Sequence, residues 1–430
     1  MMLGGGIRSR SRRLLIPGAM AVAFIIAVVA AACGGGGEEE VPLAATPTPA
    51  AAAPIPTPTP STPAPTPTAG GAVQFQWQLQ EVDRGTKPAL ALDSQGVPTI
   101  IYMLERNDGW VKAAVWNGSG WNIATVAEGY FYGPPDVAIG GDDVPHVSYH
   151  DHQDPRQFRP EKGDAVHAFV KDGEWVVDAV FDDGHDGWDN RVVVDANNRP
   201  HISAIDPVDF GGRSVEYYFI DDNGEWQVEE IGSGALTYRF ATAIAINPAG
   251  EPYITYYDQD ETSLRLASRK AGEWSIETVD DEGETGLFSS LIVDSNGGVH
   301  ISYLEMTGRS AGYVKYAFRS DPGSPWQVAR VDTLEDIFFG FTGARNITSL
   351  ALDSQGNPWI AYSDEKEMRL AIWDGSQWQV QTVATSGQNP LGQIVILKLD
   401  AQDRPHIGYA EVTSKDPLDG VIMYATASPS

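Results

Sequence analysis

Cysteine is almost absent from this chain: its 430 residues contain one, Cys33. The remainder of the chain therefore cannot be cross-linked by disulfides and must be stabilised by a hydrophobic core. Basic residues are also scarce, because 29 Lys and Arg stand against 58 Asp and Glu, for a formal net charge of −29. Such a field repels nucleic acid and anionic headgroups and favours cations, basic partners or neutral glycans. It also keeps an exported protein soluble.

Sequence signatures of common enzyme classes are missing as well. The chain has no phosphate-binding glycine loop, no nucleophile elbow and no H-E-x-x-H zinc motif. Nucleotide-dependent chemistry and serine-hydrolase chemistry are therefore not indicated.

The first 33 residues are predicted to be an export signal. Four arginines, Arg8, Arg10, Arg12 and Arg13, precede an uncharged stretch from Leu14 to Ala32. Small residues stand directly before Cys33, which resembles a bacterial lipobox and implies a lipidated cysteine, although Ala30 occupies the usual leucine position. An uncleaved transmembrane anchor is the alternative, because the apolar run has nearly the length needed to span a bilayer. Both interpretations place the body outside the cytoplasm, on the cell membrane.

Residues 34–72 are predicted to be a disordered stalk. They are rich in Pro, Thr and Ala and contain almost no large apolar side chains. Such a composition cannot bury enough surface to offset the entropy lost on ordering. The body of the protein is then residues 73–430.

The body consists of seven similar segments spaced about fifty residues apart, the size of one four-stranded propeller blade. A short apolar run, a turn and a second apolar run recur, as in LALDSQGNPWIAYSD from Leu350. A proline begins the second run in six segments, namely Pro98, Pro145, Pro200, Pro252, Pro358 and Pro405, and Val299 replaces it in the seventh. The residue after that position is His, Tyr, Trp or Thr, which indicates a packing site between blades.

A fourth strand beginning with tryptophan follows six of the segments, and the last segment has none. The missing copy is Trp77–Val82, which stands before the first segment. An unpaired sheet edge invites aggregation, so we expect this N-terminal strand to complete the last blade. The sequence thus predicts an all-β, seven-bladed β-propeller of four-stranded blades, closed by its own N-terminal strand.

The recurrent D-S-x-G-x-P-x-I-x-Y-x-D unit resembles bacterial β-propellers of the loosely BNR-like kind, many without assigned function. The sialidase Asp-box lies in a different hairpin of the blade, so the match is not to that box. Some polysaccharide lyases are similar only at the level of the fold, which does not assign a function.

Acidic residues are predicted to crowd one face, where the second strands end. Six segments carry an acid six positions after the shared proline position: Asp151, Asp206, Asp258, Glu305, Asp364 and Glu411. A ring of carboxylates would focus negative potential, hydrogen-bond sugar hydroxyls or hold calcium or another divalent cation. The alternative is a repeated structural role, with each acid accepting backbone N–H groups or pairing with a neighbouring blade.

Histidines and aromatic residues that do not repeat are predicted on the same face. His150 and His152 flank Asp151, and His185 falls in a nearby loop, so these four residues are a candidate transition-metal or general-base site. Loop aromatics that would suit a sugar are Tyr130, Tyr132, Trp188 and Tyr238, whose alternative role is to cap the core between blades. Arg239 is expected to pair with the ring of acids or to meet a substrate carboxylate.

Three functions remain open from the sequence. The first is a monomeric, membrane-anchored binding module that presents this face to a glycan or a protein of the cell envelope, with the membrane contacted only through the anchor. The second is an extracellular enzyme acting on polysaccharide through His150 or His152 and a neighbouring tyrosine or acid. The third is a structural envelope protein.

Overall fold

The computed structural model describes residues 75–429, except 105–108, 132, 153–162, 181–186, 207–212, 235–241, 336, 338–346, 393 and 416–417. The predicted export signal, Cys33 and the stalk lie outside these residues, as do Tyr132, His185, Tyr238 and Arg239. The described part of the chain folds into strands and turns, and it contains no helix long and apolar enough to cross a membrane.

Twenty-eight strands make up the described fold. The first ten are β1 (Phe75–Arg84), β2 (Thr86–Leu92), β3 (Pro98–Leu104), β4 (Gly109–Trp116), β5 (Trp121–Gly129), β6 (Asp136–Ile139), β7 (Pro145–Asp151), β8 (Asp164–Lys171), β9 (Glu174–Ala179) and β10 (Trp188–Val194). The next nine are β11 (Pro200–Asp206), β12 (Arg213–Ile220), β13 (Trp226–Gly234), β14 (Ala243–Ile246), β15 (Pro252–Asp258), β16 (Ser263–Lys270), β17 (Glu273–Asp280), β18 (Glu284–Val293) and β19 (Val299–Met306). The last nine are β20 (Gly312–Arg319), β21 (Gln327–Leu334), β22 (Thr348–Leu352), β23 (Pro358–Ser363), β24 (Glu367–Trp373), β25 (Trp378–Thr385), β26 (Ile396–Leu399), β27 (Pro405–Lys415) and β28 (Leu418–Pro429).

Seven antiparallel sheets of four strands each form the blades. Blades 1 to 6 are β2–β5, β6–β9, β10–β13, β14–β17, β18–β21 and β22–β25, each in sequence order from the first strand to the fourth. The first strands contact one another in cyclic order, from β2 through β6, β10, β14, β18, β22 and β26 and back to β2. They are therefore the innermost strands, and the prediction of an all-β, seven-bladed propeller is confirmed.

Blade 7 is assembled from both ends of the described chain. Its order is β26–β27–β28–β1, and β1 pairs antiparallel with β28 from Phe75 opposite Pro429 to Arg84 opposite Val421. The Arg84 guanidinium contacts the Asp419 carboxylate of the same blade. The stretch from Trp77 to Val82 thus lies at the outer edge of the last sheet.

Residues at the repeated positions pack between blades. The histidines after the shared proline are buried, and His201, His300 and His406 pair through Nδ1 with the hydroxyl groups of third-strand tyrosines at 2.5–2.6 Å. The tryptophan that begins the next blade's fourth strand meets each tyrosine edge-on, as Trp274 does Tyr217, with ring centroids 5.5 Å apart. The prediction that these positions serve packing is therefore confirmed.

Candidate functional site

Blade 2 differs from the other blades where its second strand, β7, ends. Side chains of a strand point alternately to opposite faces, so β7 presents Tyr149 and Asp151 to one side and Ser148 and His150 to the other. Tyr149 packs in the cluster shared with blade 1, and the His150 ring lies 6.2 Å from that of Trp188 in blade 3. Side chains at the end of β7 therefore pack against both neighbouring blades.

The carboxyl group of Asp151 lies on the blade 1 side. In the strand register Asp151 stands directly opposite Asp164 of β8, and its backbone forms a β-bridge with Phe131 in the loop between β5 and β6. Like charges opposite each other on neighbouring strands repel. Burial, together with the nearby Asp164, raises the pKa of Asp151 to about 6. A partly exposed carboxyl group that exchanges its proton near neutral pH is thus present at this end of blade 2.

Two buried histidines lie beside this carboxyl group. The His150 and His152 rings are 6.2 Å apart, and both residues are 2% exposed. The Tyr130 ring meets the His152 ring edge-on at 5.2 Å, and the His152 backbone N–H donates to the Tyr130 carbonyl at 2.8 Å. Five residues predicted for ligand or metal binding, Tyr130, His150, Asp151, His152 and Trp188, are therefore brought together here.

The start of β10 adds further buried polar groups. Asp189, Asn190 and Arg191 are exposed by 1%, 1% and 7%, and Asp189 adopts φ 53°, a left-handed conformation rare for residues other than glycine. The Asn190 amide donates through Nδ2 to the Gly187 carbonyl at 2.8 Å. A concentration of buried polar side chains at one end of a blade is unusual enough to require a reason, structural or functional.

Three of the other predicted acids make structural contacts. Asp258 accepts the backbone N–H groups of residues 260 and 261 and pairs with Arg265 at 3.1 Å. Asp364 likewise accepts two backbone N–H groups in its turn. Glu305 lies 3.2 Å from the buried Lys315 ammonium group. Their repeated position is therefore explained by turn capping and ion pairing within blades.

The remaining predicted acids are less closely defined. Asp206 ends β11, but its side chain lies outside the described residues. Glu411 is partly exposed in β27 and bridges to Leu391 through the backbone. Within the described ranges, no three His, Cys, Asp or Glu side chains converge as they would around a metal ion. The fourth predicted metal ligand, His185, lies outside those ranges.

A polar groove between blades 5 and 6 was not anticipated from the sequence. It has a volume of about 480 Å³ and is lined by charged groups of both signs, including Glu335, Asp364, Lys366, Glu367 and Arg369. The Arg369 guanidinium donates to Asp332 at 2.7 Å and to Glu367 at 2.8 Å, and Asp332 in turn accepts the Tyr362 hydroxyl at 2.6 Å. One sequence feature could have pointed to this groove. A basic residue on the third strand of blade 6, Arg369, stands opposite Tyr362, the tyrosine of the repeat unit.

The fold and this geometry define a seven-bladed β-propeller with a polar end on blade 2. No family model matches the chain, and no curated protein matches it. Among solved structures, an ulvan lyase described as a new family of polysaccharide lyase, PL25, aligns with TM-score 0.56 and 13% identity over 80% of this chain and 94% of its own. The SapL1 lectin in complex with alpha methyl fucoside aligns with TM-score 0.47 and 13% identity over 71% of this chain and 98% of its own. The NanB sialidase from Streptococcus pneumoniae aligns with TM-score 0.44 and 9% identity over 81% and 69%. At identities of 9–13%, these alignments show only that the folds are similar.

Proposed function

We propose that this protein is a glycan-binding module of the cell envelope and that its ligand site is the end of blade 2. The observation that carries the proposal is the partly exposed pair of Tyr130 and Asp151, which stands beside the buried rings of His150 and His152. An aromatic ring offers a face on which a sugar ring stacks, and a carboxylate accepts hydrogen bonds from sugar hydroxyls. The net charge of −29 directs this site toward neutral rather than anionic polymers.

A glycan array on the body, residues 73–430, with and without calcium, tests the proposal. We expect binding, and we expect Tyr130→Ala and Asp151→Asn each to weaken it about tenfold, the change that corresponds to about 1.4 kcal/mol. The matched controls are Tyr313→Ala and Asp258→Asn, which change an aromatic residue and an acid at equivalent ends of other blades. No binding in either condition would contradict the proposal, as would equal losses in the controls.

Catalysis on polysaccharide is the second candidate function, and one observation favours it. A pKa of about 6 lets Asp151 exchange its proton near neutral pH, as a general acid or base must. His152 lies beside Tyr130 as a second candidate proton carrier. Incubation with polysaccharides should then release new chain ends in wild-type protein and not in Asp151→Asn or His152→Ala. Chain ends released equally by these variants would exclude this site as their source.

We further propose that the chain is exported and held on the membrane through Cys33. Labelling of growing cells with palmitate distinguishes the two anchors. A lipoprotein incorporates label in the wild-type protein and loses it in Cys33→Ser, whereas an uncleaved transmembrane anchor leaves both proteins unlabelled and in the membrane fraction.

A further inference from the structure

Blades 4 and 5 each pair the acid six positions after the shared proline position with a cation on their third strand. In blade 4 the Arg265 guanidinium donates through Nε to Asp258 at 3.1 Å. In blade 5 the Lys315 ammonium group lies 3.2 Å from the Glu305 carboxylate. In both blades the acid and the cation therefore satisfy each other.

In blade 6 the equivalent residues, Asp364 and Arg369, are held apart. Arg369 donates through Nε to Glu367 at 2.8 Å and through Nη1 to Asp332 at 2.7 Å. Because these bonds fix the guanidinium plane, Nη2 stays 3.7 Å from the Asp364 Oδ2 atom, too far for a hydrogen bond. Asp364 uses its other oxygen, Oδ1, for the two backbone N–H groups of its turn. Within the described part of the chain, Nη2 and Oδ2 thus make no hydrogen bond.

Both residues line the polar groove between blades 5 and 6. Asp364 is 3% exposed, and the side chain of Arg369 is 20% exposed. A carboxylate oxygen in such surroundings loses stability unless a donor reaches it. The groove has room for a ligand that supplies one, because its volume of about 480 Å³ falls within the range of about 300–1,000 Å³ that small-molecule sites occupy.

The chemistry of the two atoms restricts that ligand. The Nη2 group of Arg369 can only donate, and the Asp364 carboxylate can only accept. A cationic ligand would satisfy Oδ2 but be repelled by Arg369, and a carboxylate would satisfy Nη2 but be repelled by Asp364 and Glu367. A hydroxyl group carries no charge and both donates and accepts, so one hydroxyl can join the two atoms across the gap of 3.7 Å.

We propose that this groove is a second ligand site of the propeller, in which Asp364 and Arg369 bind hydroxyl groups of an uncharged sugar. Thr333 and Thr385 add exposed hydroxyl groups to the same groove. The lining residues belong to blades 5 and 6, and none of them contributes to the proposed site on blade 2. The two sites are therefore independent of each other.

Two conservative substitutions remove one atom each from this site. Asp364→Asn keeps an oxygen for the backbone N–H groups of the turn and replaces Oδ2 with an amide group that cannot accept. Arg369→Lys removes Nη2 and keeps a cation beside Asp332, as Lys315 contacts Asp280 in blade 5.

Both substitutions are tested in a Tyr130→Ala background, which disables the proposed site on blade 2. Binding of methyl glycosides of neutral hexoses to the full chain in detergent is followed by saturation-transfer NMR. We expect the Tyr130→Ala protein to retain binding and each added substitution to weaken it about tenfold. The matched controls, Asp258→Asn and Arg265→Lys in the same background, alter the closed pair of blade 4 and should leave binding unchanged.

The outcomes separate the two sites. Loss of all binding in Tyr130→Ala alone would overturn the groove site and leave the proposed function standing. Undiminished binding in Asp364→Asn and Arg369→Lys, or equal losses in the blade 4 controls, would also overturn the groove site. If these two substitutions abolish binding in the wild-type background and Tyr130→Ala does not weaken it, the groove is the glycan site and the proposal for blade 2 fails. If no glycoside binds the wild-type protein, both proposals are overturned.

Discussion

The ionisation of Asp151 depends strongly on its surroundings in blade 2. Burial and Asp164 raise its pKa to about 6, from a reference value of 3.8. Because the folded-state pKa lies above the unfolded value, the folded protein binds the proton more tightly. This contribution to stability is fully present below about pH 4 and is lost as the pH rises through about 6.

We therefore expect Asp151→Asn to stabilise the protein at neutral pH. The substitution removes a partly buried charge that faces Asp164, and the free energy of unfolding at pH 7.5 should rise by about 2 kcal/mol relative to wild type. Denaturant titrations at pH 4.5 and 7.5 measure this difference, which should be much smaller at the lower pH. Asp258→Asn, which removes an acid paired with Arg265, should not be stabilising at either pH. Equal effects of Asp151→Asn at both pH values would contradict the account.

The buried histidines act in the opposite direction. Burial lowers the pKa of His201, His300 and His406 below the usual 6.5, and the partner carboxylates Asp195, Asp294 and Asp400 oppose this shift. Their contribution to stability is therefore present above pH 6.5 and is lost as the pH falls below it.

The pair of His406 and Tyr424 offers a direct test. Tyr424→Phe removes the hydroxyl that lies 2.5 Å from His406 Nδ1, and we expect a loss of about 1–2 kcal/mol in unfolding free energy. A double-mutant cycle with His406→Phe measures the coupling between the two side chains. A coupling energy indistinguishable from zero would mean that the contact is only packing.

At the scale of elements, the turns between first and second strands connect neighbouring blades. The fourth residue of this turn has a left-handed φ, and it is glycine in four blades: Gly96, Gly250, Gly297 and Gly356. In the other three blades it is Asp143, Asn198 or Asp403, at φ 56–61°. Each of these side chains reaches the preceding blade's turn, where Asp403 accepts both the backbone N–H and the hydroxyl of Ser354 at 2.7 and 2.6 Å.

We expect Asp403→Gly to preserve the turn and lose this connection. Glycine adopts the left-handed conformation without strain, so the cost of about 0.5–1 kcal/mol should come from the lost hydrogen bonds alone. Combining Asp403→Gly with Ser354→Ala should cost little more than Asp403→Gly by itself, as measured by thermal unfolding. Strictly additive losses would show that the two side chains act independently.

The repeat predicted these elements because each blade uses the same residue types for the same contacts. The fourth strands, the packing of the histidines and the outer position of β1 all follow from positions that recur along the chain. The polar groove between blades 5 and 6 does not follow from recurring positions, because Asp332 and Arg369 become neighbours only when two blades are placed side by side. Recognition of such pairs requires the register between blades, which a repeat unit alone does not contain.

At the scale of the whole molecule, β1 supplies the same contacts that internal strands supply elsewhere. Its Asp83 accepts the Tyr102 hydroxyl at 2.7 Å and lies 3.2 Å from the Lys112 ammonium group of blade 1. Two internal fourth strands make equivalent contacts, β17 through Asp280 with Tyr303 and Lys315, and β21 through Asp332 with Tyr362 and Arg369. The composite blade therefore joins blade 1 in the same way that blades 4 and 5 join their successors.

The placement of every loop on the ligand face depends on this closure. A chain without cysteine in its body allows a direct measurement of it, in a Cys33→Ser background. Gln78 and Thr426 are opposite residues in the β1–β28 register, so their Cα atoms lie within the range that a disulfide bridges. Gln78→Cys with Thr426→Cys should form a disulfide on mild oxidation of the folded protein and raise its Tm. Gln78→Cys with Gln327→Cys, which would join blades 7 and 5, should not. Failure of the first pair to cross-link in folded protein would contradict a ring closed by the N-terminal strand.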